Sequence, residues 1–440
     1  MNSTARSIVR ELRASKIREV ANAAMGDPDV LPFWFGEPDE VTPDFIRAAA
    51  IEALNAGDTF YTHNLGIPPL RTAIATYVSR LHRPVGTERV AVTNSGMSAL
   101  MLATQAIVGP GDRVVEVTPL WPNLVEIPKI LGAAVECVAL RFTPLGWVLD
   151  LDRLLAALTP ATRALYINSP NNPTGWTIAR EALAPILERC RKHGIWIIAD
   201  DAYERLYFNG TGAIAPAEGG AVPAAEGGRC DPGAGDSAPE YPAGHARLRG
   251  RIPASGAPAP RSGAPSFLDL AEPEDRVVST NTFSKSWLMT GWRLGWLVAP
   301  AALVPELGKL IEYNTSCAQG FVQRAGIAAI THGEPVIASF VARLRQARDF
   351  LIGRLQAIPG IEAALPAGAM YAFFRVAGVT DSLVFCKRLV AEAKLGLAPG
   401  AAFGPEGESF VRWCFAAAEE RLAEGVTRLA HALERQPAGE

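Results

Sequence analysis

Between residues 89 and 199, short apolar runs alternate with longer amphipathic stretches, and this alternation leaves few choices of fold. Apolar runs at 89–93, 112–118, 134–139, 162–168 and 195–199 have the length of strands, and helical patterns lie between them. Alternation of this kind predicts βαβ units and therefore a mostly parallel sheet flanked by helices. We expect an α/β fold whose chemistry lies at the carboxyl ends of the strands, where ligands of open α/β sheets bind.

The first of these runs leads into Ser95, Gly96 and Met97, which open an apolar helix. The unpaired amide hydrogens and the positive dipole end of a helix start suit a phosphate group. An ordinary capped helix start explains the same residues more simply. Trp121 follows the run at 112–118, where it either contacts a ligand or only packs.

The apolar run at 195–199 ends in two acidic residues, Asp200 and Asp201. A continuous apolar run of this length predicts a central parallel strand, which would place a carboxylate at the carboxyl edge of the sheet. We assign that position to Asp200. For Asp201 we expect a helix N-cap or a solvated charge.

Residues 279–295 hold a lysine between small hydroxyl residues. Lys285 follows a β-prone run that ends in Thr282 and Ser284, and Arg293 lies eight positions later. A lysine amine can form a Schiff base with an aldehyde, and hydroxyls and a guanidinium bind phosphate oxygens. The stretch therefore suits a phosphorylated aldehyde. An isolated Ser-Lys pair would rather indicate a surface turn, because short motifs often match by chance.

The wider pattern resembles the class I and II aminotransferases, enzymes of fold type I that use pyridoxal 5′-phosphate (PLP). The resemblance covers residues 31–416 and rests on motifs that follow the family's order. They include Gly36-Glu37-Pro38-Asp39, Asn171-Asn172-Pro173-Thr174-Gly175, Asp200-Asp201-Ala202-Tyr203, the Lys285 stretch, and Phe410-Val411-Arg412-Trp413. Each motif is weak by itself, whereas the ordered set is specific.

This resemblance implies roles for the residues around the cofactor ring. Lys285 would bond to PLP and then move the substrate proton as general base and acid. Asp200 would keep the ring nitrogen protonated, and Asn172 and Tyr203 would bind the 3′-oxygen. Trp121 would stack on the ring.

The resemblance also implies the ligands of the phosphate and of the substrate. The phosphate would bind to Ser95, Gly96, Met97, Thr282, Ser284, Arg293 and Tyr61 of the neighbouring subunit. The substrate carboxylate would bind to Arg412, with Gly36 and Asn172 beside it. An arginine in an apolar strand already implies a buried anion, and a structural ion pair is the alternative.

The family's architecture implies a domain division. We predict an N-terminal arm with part of the small domain at 1–44, a large PLP-binding domain at 45–340 and a smaller α/β C-terminal domain at 341–440. A long helical region, 302–354, would connect the two domains. Residues 210–265 are rich in Ala, Gly and Pro without helical or strand periodicity, so we expect a disordered insertion there.

Composition limits the partners and the compartment. A net charge of −3 in 440 residues gives no reason to expect nucleic acid or anionic membrane as a partner. The six cysteines are scattered without a CxxC pair, which indicates reduced thiols rather than a disulfide framework or metal site. No apolar run reaches the roughly 18 residues of a membrane span. We expect a cytoplasmic protein.

The sequence thus predicts a PLP-dependent aminotransferase that moves an amino group from an L-amino acid to a 2-oxo acid through a lysine aldimine. We expect a homodimer with shared active sites and no metal. A β-eliminating carbon–sulfur lyase of the same fold is the alternative, and a non-catalytic PLP-binding sensor domain is a third. Residues 313–317 lack the second arginine of many aspartate-selective enzymes, which somewhat favours a neutral amino acid.

Overall fold

The computed structural model describes residues 5–208 and 263–435. The predicted insertion, residues 210–265, lies outside these ranges except for residues 263–265. The described α-helices are α1 (Ser7–Arg10), α2 (Lys16–Asn22), α3 (Asp44–Asn55), α4 (Pro68–Leu81), α5 (Gly96–Ile107), α6 (Pro122–Ile130), α7 (Leu151–Ala157), α8 (Arg180–His193), α9 (Val304–Asn314), α10 (Gly320–His332), α11 (Glu334–Gln356), α12 (Ser382–Ala393) and α13 (Glu419–Glu434).

Several of the described strands follow the apolar runs of the sequence. They are β1 (Leu31–Pro32), β2 (Val90–Thr93), β3 (Arg113–Thr118), β4 (Ala134–Ala139), β5 (Arg141–Thr143), β6 (Gly146–Val148), β7 (Thr162–Asn168), β8 (Trp196–Asp200), β9 (Val277–Thr282), β10 (Gly295–Val298), β11 (Ile361–Glu362), β12 (Tyr371–Val376), β13 (Leu395–Gly396), β14 (Ala398–Pro399) and β15 (Phe410–Cys414).

A seven-stranded sheet in the order β2-β10-β9-β8-β7-β3-β4 forms the centre of the fold. Neighbours from β9 to β4 run parallel, whereas β10 is antiparallel to both β9 and β2. The sheet is therefore mixed and mostly parallel, and the predicted α/β fold with a central sheet flanked by helices is confirmed.

Both faces of the central sheet are buried, which explains the continuous apolar runs of its strands. In β8, Ile197 packs with Leu165 of β7 in the apolar cluster on one face. Ile198, the next residue, packs with Tyr166 in the cluster on the other face. Because successive side chains of a strand point to opposite faces, a strand covered on both sides needs apolar residues at every position.

A second sheet is four-stranded and antiparallel, in the order β11-β12-β15-β14. One apolar cluster joins this sheet to α11, α12 and α13 and includes N-terminal residues such as Ile17, Phe33 and Trp34. Strand β1 pairs in parallel with β13. The N-terminal segment thus packs with the C-terminal part of the chain, while the domain boundaries given above stay predictions.

The predicted helical region 302–354 is divided into α9, α10 and α11. Helices α10 and α11 are bent by 75° at Gly333. A Cβ at this glycine would lie 2.2 Å from the carbonyl oxygen of Ala329 and 2.6 Å from the Trp287 ring, so only glycine fits the bend. No single helix in 5–208 or 263–435 is long and apolar enough to span a membrane. The bent pair α10 and α11 together has the length and apolar composition of a span, and nothing beyond length and composition points to one.

Candidate active site

A cavity of about 410 Å³ opens at the carboxyl ends of the central strands. Asn168 ends β7 and lies in register with Asp200, the last residue of β8, and Asp200 in turn lies beside Thr280 of β9. Twelve of the predicted site residues line the cavity: Gly36, Gly96, Met97, Trp121, Asn172, Asp200, Tyr203, Thr282, Ser284, Lys285, Arg293 and Arg412. Residues far apart in sequence are thus brought into one cavity.

Lys285 follows strand β9 and points its amine into the cavity. The Nζ atom donates a hydrogen bond of 2.6 Å to the carbonyl oxygen of Gly36 and lies 5.6 Å from the centre of the Tyr203 ring. Loss of hydration, together with the positive charge of Arg412, lowers the pKa of this amine from 10.5 to about 8. A substantial fraction of the amine is therefore neutral near physiological pH, as a nucleophile or proton acceptor must be.

Asp200 is buried at the end of β8, and its carboxylate accepts a 3.2 Å hydrogen bond from the amide of Ala202. Burial raises the pKa of Asp200 to about 6, because the hydrogen bond from Ala202 and the nearby charge of Lys285 only partly offset the loss of hydration. A cationic partner within the cavity would lower this pKa and stabilise the carboxylate. The site therefore suits a ligand with a protonated ring nitrogen.

The expectation that Asp201 is an N-cap or a solvated charge is wrong. Its side chain is buried on the other side of the strand end and accepts hydrogen bonds from Ser279 at 2.5 Å and Ser266 at 3.3 Å. Burial and the nearby Glu204 raise the pKa of Asp201 to about 7. The two hydroxyls compensate for part of the lost hydration, which a sequence pattern alone does not reveal.

Arg412 is buried in β15, and its partners are neutral. Nη1 donates 2.9 Å to Oδ1 of Asn172, and Nη2 donates to the carbonyl oxygen of Trp34. The guanidinium also lies 4.5 Å from the ring centre of Tyr371, and its Nε has no hydrogen-bond partner among the described residues. No carboxylate in 5–208 or 263–435 forms an ion pair with it, so the structural ion pair is not observed there. A buried cation of this kind calls for an anionic ligand.

The start of helix α5 serves two purposes. Ser95 is the N-cap, and its Oγ accepts a 3.1 Å hydrogen bond from the amide of Ser98, as in an ordinary capped helix. Ser95 itself does not line the cavity, whereas Gly96 and Met97 do. A Cβ at Gly96 would lie 3.0 Å from Cβ of Thr282, so the missing side chain lets the helix start approach β9 closely. The free amides there suit a phosphate.

Hydroxyl and guanidinium groups surround this helix start. Thr282 Oγ1 donates 2.9 Å to Ser284 Oγ and accepts 3.1 Å from the amide of Ser284. Arg293 has a left-handed backbone conformation, with φ of 55°, and its side chain is exposed while lining the cavity. Tyr61, predicted to serve the neighbouring subunit, is 80% exposed and does not line the cavity of its own chain.

Tyr371 is not among the predicted site residues, although it lines the same cavity. Its hydroxyl lies 2.7 Å from that of Tyr203, and both rings are buried. Gly36 leaves the space for this pair, since a Cβ there would lie 1.9 Å from the Tyr371 hydroxyl. The cavity is also lined by Arg18, Phe35 and Asn168, none of which was predicted. Only Phe35 and Asn168 adjoin motifs that could have indicated them.

An α/β fold with a lysine, a buried aspartate, an arginine and a phosphate-binding helix start around one cavity defines a PLP-dependent enzyme. The residues fit the cofactor chemically, because Asp200 has no cationic hydrogen-bond partner in the described part of the chain and α5 presents free amides. The chain belongs to the class I and II aminotransferases, whose family model matches residues 28–429. The predicted cofactor, fold and transaminase activity are thereby confirmed.

Relatives match almost the whole chain. An aspartate aminotransferase of Pyrococcus horikoshii is 31% identical over 431 residues, which are 96% of this chain and 95% of that protein. A probable N-acetyl-LL-diaminopimelate aminotransferase of Bacillus subtilis is 28% identical over 424 residues, 96% and 93% of the two chains. The crystal structure of an aspartate aminotransferase from Thermotoga maritima superimposes with a TM-score of 0.80 at 29% identity, covering 98% of this chain and 100% of that one.

Proposed function

We propose that this aminotransferase takes the amino group of an L-amino acid with Lys285 as its proton-transferring residue and Arg412 as its carboxylate-binding residue. The observation that carries the proposal is that one cavity contains Lys285, Asp200, Asn172 and Arg412. When bound, PLP supplies an aldehyde that takes the amino group and a ring that withdraws electrons from the substrate Cα. The remaining work is positioning and proton transfer by the protein.

Arg412 is suited to hold the substrate's α-carboxylate. Its guanidinium is already held in place by Asn172 and Trp34, and the Nε donor has no partner in the part of the chain that the structure describes. A carboxylate would satisfy this donor and neutralise the buried charge with a pair of parallel hydrogen bonds. Fixing the carboxylate also fixes the direction of the Cα–H bond, and such orientation can contribute much of a rate enhancement.

Lys285 is suited to move the proton of Cα. With its pKa lowered to about 8, the amine can accept a proton and return it near neutral pH. The bond to Gly36 shows that the side chain reaches across the cavity to the N-terminal segment. This bond is to a neutral carbonyl, so it can be given up when substrate enters.

Asp200, Asn172 and Tyr203 are suited to bind the polar atoms of the cofactor ring. Asp200 provides a buried carboxylate for the ring nitrogen, which would keep that nitrogen protonated. Asn172 uses Oδ1 for Arg412, which leaves its amide hydrogens as donors for the 3′-oxygen. Tyr203 shares one hydrogen bond with Tyr371, and the same hydroxyl has capacity for a second one.

The phosphate would bind at the start of α5, where the amides of Gly96 and Met97 face Thr282, Ser284 and Arg293. All five residues line the same cavity. The helix dipole and the guanidinium both favour the negative charge of a phosphate. Ser95 would contribute indirectly by capping the helix that presents these amides.

We further propose that the enzyme is a homodimer in which Tyr61 reaches the phosphate site of the neighbouring subunit. Phe60, Tyr61 and Tyr313 are 78%, 80% and 91% exposed. The amide of Thr62 donates a 3.3 Å hydrogen bond to Sγ of Cys317, so the segment with Phe60 and Tyr61 lies beside the segment that follows Tyr313. An exposed aromatic surface of this kind is typical of a protein–protein interface. Size-exclusion chromatography with light scattering tests the dimer, and Tyr61→Phe should then weaken PLP binding.

A half-reaction tests the proposed roles. Purified holoenzyme is mixed with single L-amino acids without an oxo acid, while its visible spectrum and the released products are followed. We expect conversion of bound PLP to pyridoxamine phosphate with one oxo acid released per site. Release of ammonia and pyruvate from L-cysteine in many turnovers would instead support the β-eliminating lyase.

A cytoplasmic location stays a prediction that fractionation of cells can test.

A further inference from the structure

Arg18 brings a second guanidinium into the active-site cavity. It belongs to helix α2 and lines the same cavity as Lys285 and Arg412. Its guanidinium carbon lies 4.7 Å from the centre of the Phe35 ring. Within 5–208 and 263–435, Arg18 has no ion pair and no hydrogen bond from its side chain. All its donors therefore remain available to a ligand.

The helix that carries Arg18 is firmly attached to the rest of the protein. Ile17, Val20 and Ala21 of α2 are buried in the cluster that also contains the second sheet. Ser15 caps the helix by accepting a 3.2 Å hydrogen bond from the amide of Arg18. Because the neighbouring residues are anchored, the backbone of Arg18 is held at the cavity while its long side chain can move to meet a ligand.

Three consecutive residues relate Arg18 to the two groups that hold the substrate. Trp34 accepts a hydrogen bond from Arg412, Phe35 packs under Arg18, and Gly36 accepts a hydrogen bond from Lys285. Three residues of extended chain span about 10 Å. The three cationic side chains are thus ordered along one short segment, with the groups for the α-carboxylate and for the α-amino group close to a further cation.

We propose that Arg18 recognises the side chain of the substrate and makes the enzyme prefer amino acids with an acidic side chain. The inference rests on the proposed function of Arg412 at the same site. With the α-carboxylate bound to Arg412, a side-chain carboxylate would find Arg18 as an unpaired donor with a planar fork of N–H groups. A neutral side chain would gain no such bond. Binding a neutral substrate would leave Arg18 unpaired at little cost, because Arg18 is exposed and stays hydrated.

The proposed preference for acidic substrates differs from the preference for a neutral amino acid that the sequence indicated, because residues 313–317 contain no arginine. The structure shows that a guanidinium reaches the cavity from the N-terminal helix instead. The Pyrococcus horikoshii and Thermotoga maritima relatives are named aspartate aminotransferases, which is consistent with an acidic substrate. The argument itself stands on the unpaired guanidinium in the cavity.

The test compares Arg18→Gln with the conservative Arg18→Lys and with Lys16→Gln, a matched control. Lys16 lies in the same helix and carries the same charge, but it does not line the cavity. The holoenzymes are assayed in half-reactions with L-aspartate, L-glutamate, L-alanine and L-phenylalanine. We expect Arg18→Gln to lower kcat/KM for the acidic pair roughly 10- to 100-fold, the usual loss for a hydrogen bond to a charged group. The neutral pair should change less than about 3-fold.

Arg18→Lys should retain part of the preference, and Lys16→Gln should retain all of it. Binding provides a second measurement, because succinate and butyrate are unreactive and differ by one carboxylate. Titration calorimetry should show weaker succinate binding by Arg18→Gln with butyrate unchanged. An equal loss for all four amino acids, no loss at all, or a wild-type preference for neutral substrates would overturn the proposal. Failure of every amino acid to react with the wild type would instead overturn the proposed function.

Discussion

The contact between Gly36 and Tyr371 permits a quantitative test of how the site is assembled. A Cβ added at Gly36 would lie 1.9 Å from the Tyr371 hydroxyl oxygen and 2.9 Å from the ring carbon that carries it. That hydroxyl cannot simply turn away, since it shares a 2.7 Å hydrogen bond with buried Tyr203. Gly36 also accepts the hydrogen bond of Lys285. Any displacement of Gly36 therefore moves the hydrogen-bond partner of the Lys285 amine.

Gly36→Ala should destabilise the enzyme by about 1–3 kcal/mol, the usual effect of overpacking a buried contact. Tyr371→Phe should also cost about 1–3 kcal/mol, because it leaves the Tyr203 hydroxyl buried without this partner. In the double variant the closest atom is gone and the nearest remaining one is the ring carbon at 2.9 Å. The double variant should consequently be less destabilised than the sum by about 1–2 kcal/mol.

Urea unfolding of the holoenzyme measures the free energy of unfolding of the wild type, the two single variants and the double variant. PLP and protein concentrations must be the same for all variants, since ligand and subunit binding shift the apparent stability. Gly353→Ala is the control: its Cβ would meet nothing within 4 Å, and it lies in α11, so alanine should stabilise by up to about 1 kcal/mol. Additive effects within about 0.5 kcal/mol, or a Gly36→Ala variant of unchanged stability, would refute the reasoning.

Three further predictions concern single residues. Arg412→Lys should lower kcat/KM for L-amino acids about 30-fold or more, because the planar fork for the carboxylate is lost, while a simple primary amine serves as the unaffected control in half-reactions. Lys285→Ala should slow the single-turnover half-reaction by at least about 10²–10⁴-fold, the contribution of one acid–base group. His82 is buried, which disfavours its charge, but hydrogen bonds to Asp269 and Glu204 outweigh this and raise its pKa to about 10. Protonated His82 therefore stabilises the folded state fully below the pKa of unfolded histidine, near 6.5, and this contribution is lost as pH rises through about 10. In urea unfolding, His82→Gln should lower the free energy of unfolding by roughly 3 kcal/mol at pH 6 and by clearly less at pH 10.

Local patterns were sufficient for the central sheet. A run such as residues 195–199 is apolar at every position because β8 is covered on both faces, and that requirement is visible in the sequence. The division of 302–354 into three helices was not visible to the same degree. The bend at Gly333 depends on Trp287, which is distant in sequence and leaves no room for a side chain there.

The site divides in a similar way between motif residues and the residues that support them. Asp200 ends a strand and Lys285 and Asn172 follow strands, so their meeting at one edge of the sheet could be predicted from strand order alone. Tyr371 and Arg18 could not be assigned, because their importance comes from contacts with Tyr203 and Phe35 rather than from a local pattern. A polar N-terminal helix without a motif gives no indication that one of its arginines faces a cavity.

The residues whose burial is least favourable for stability are also those that point to the function, and Arg412 is an example. A buried guanidinium without a carboxylate partner and with one unsatisfied nitrogen is destabilising in a substrate-free protein. Asp200 similarly keeps a buried carboxylate whose one donor within 5–208 and 263–435 is the amide of Ala202 at 3.2 Å. In the proposed function, Asp200 would gain its partner from the cofactor nitrogen and Arg412 from the substrate carboxylate. Binding energy would then be directed to the two atoms whose positions decide the reaction, since the ligands would supply what the fold leaves unpaired.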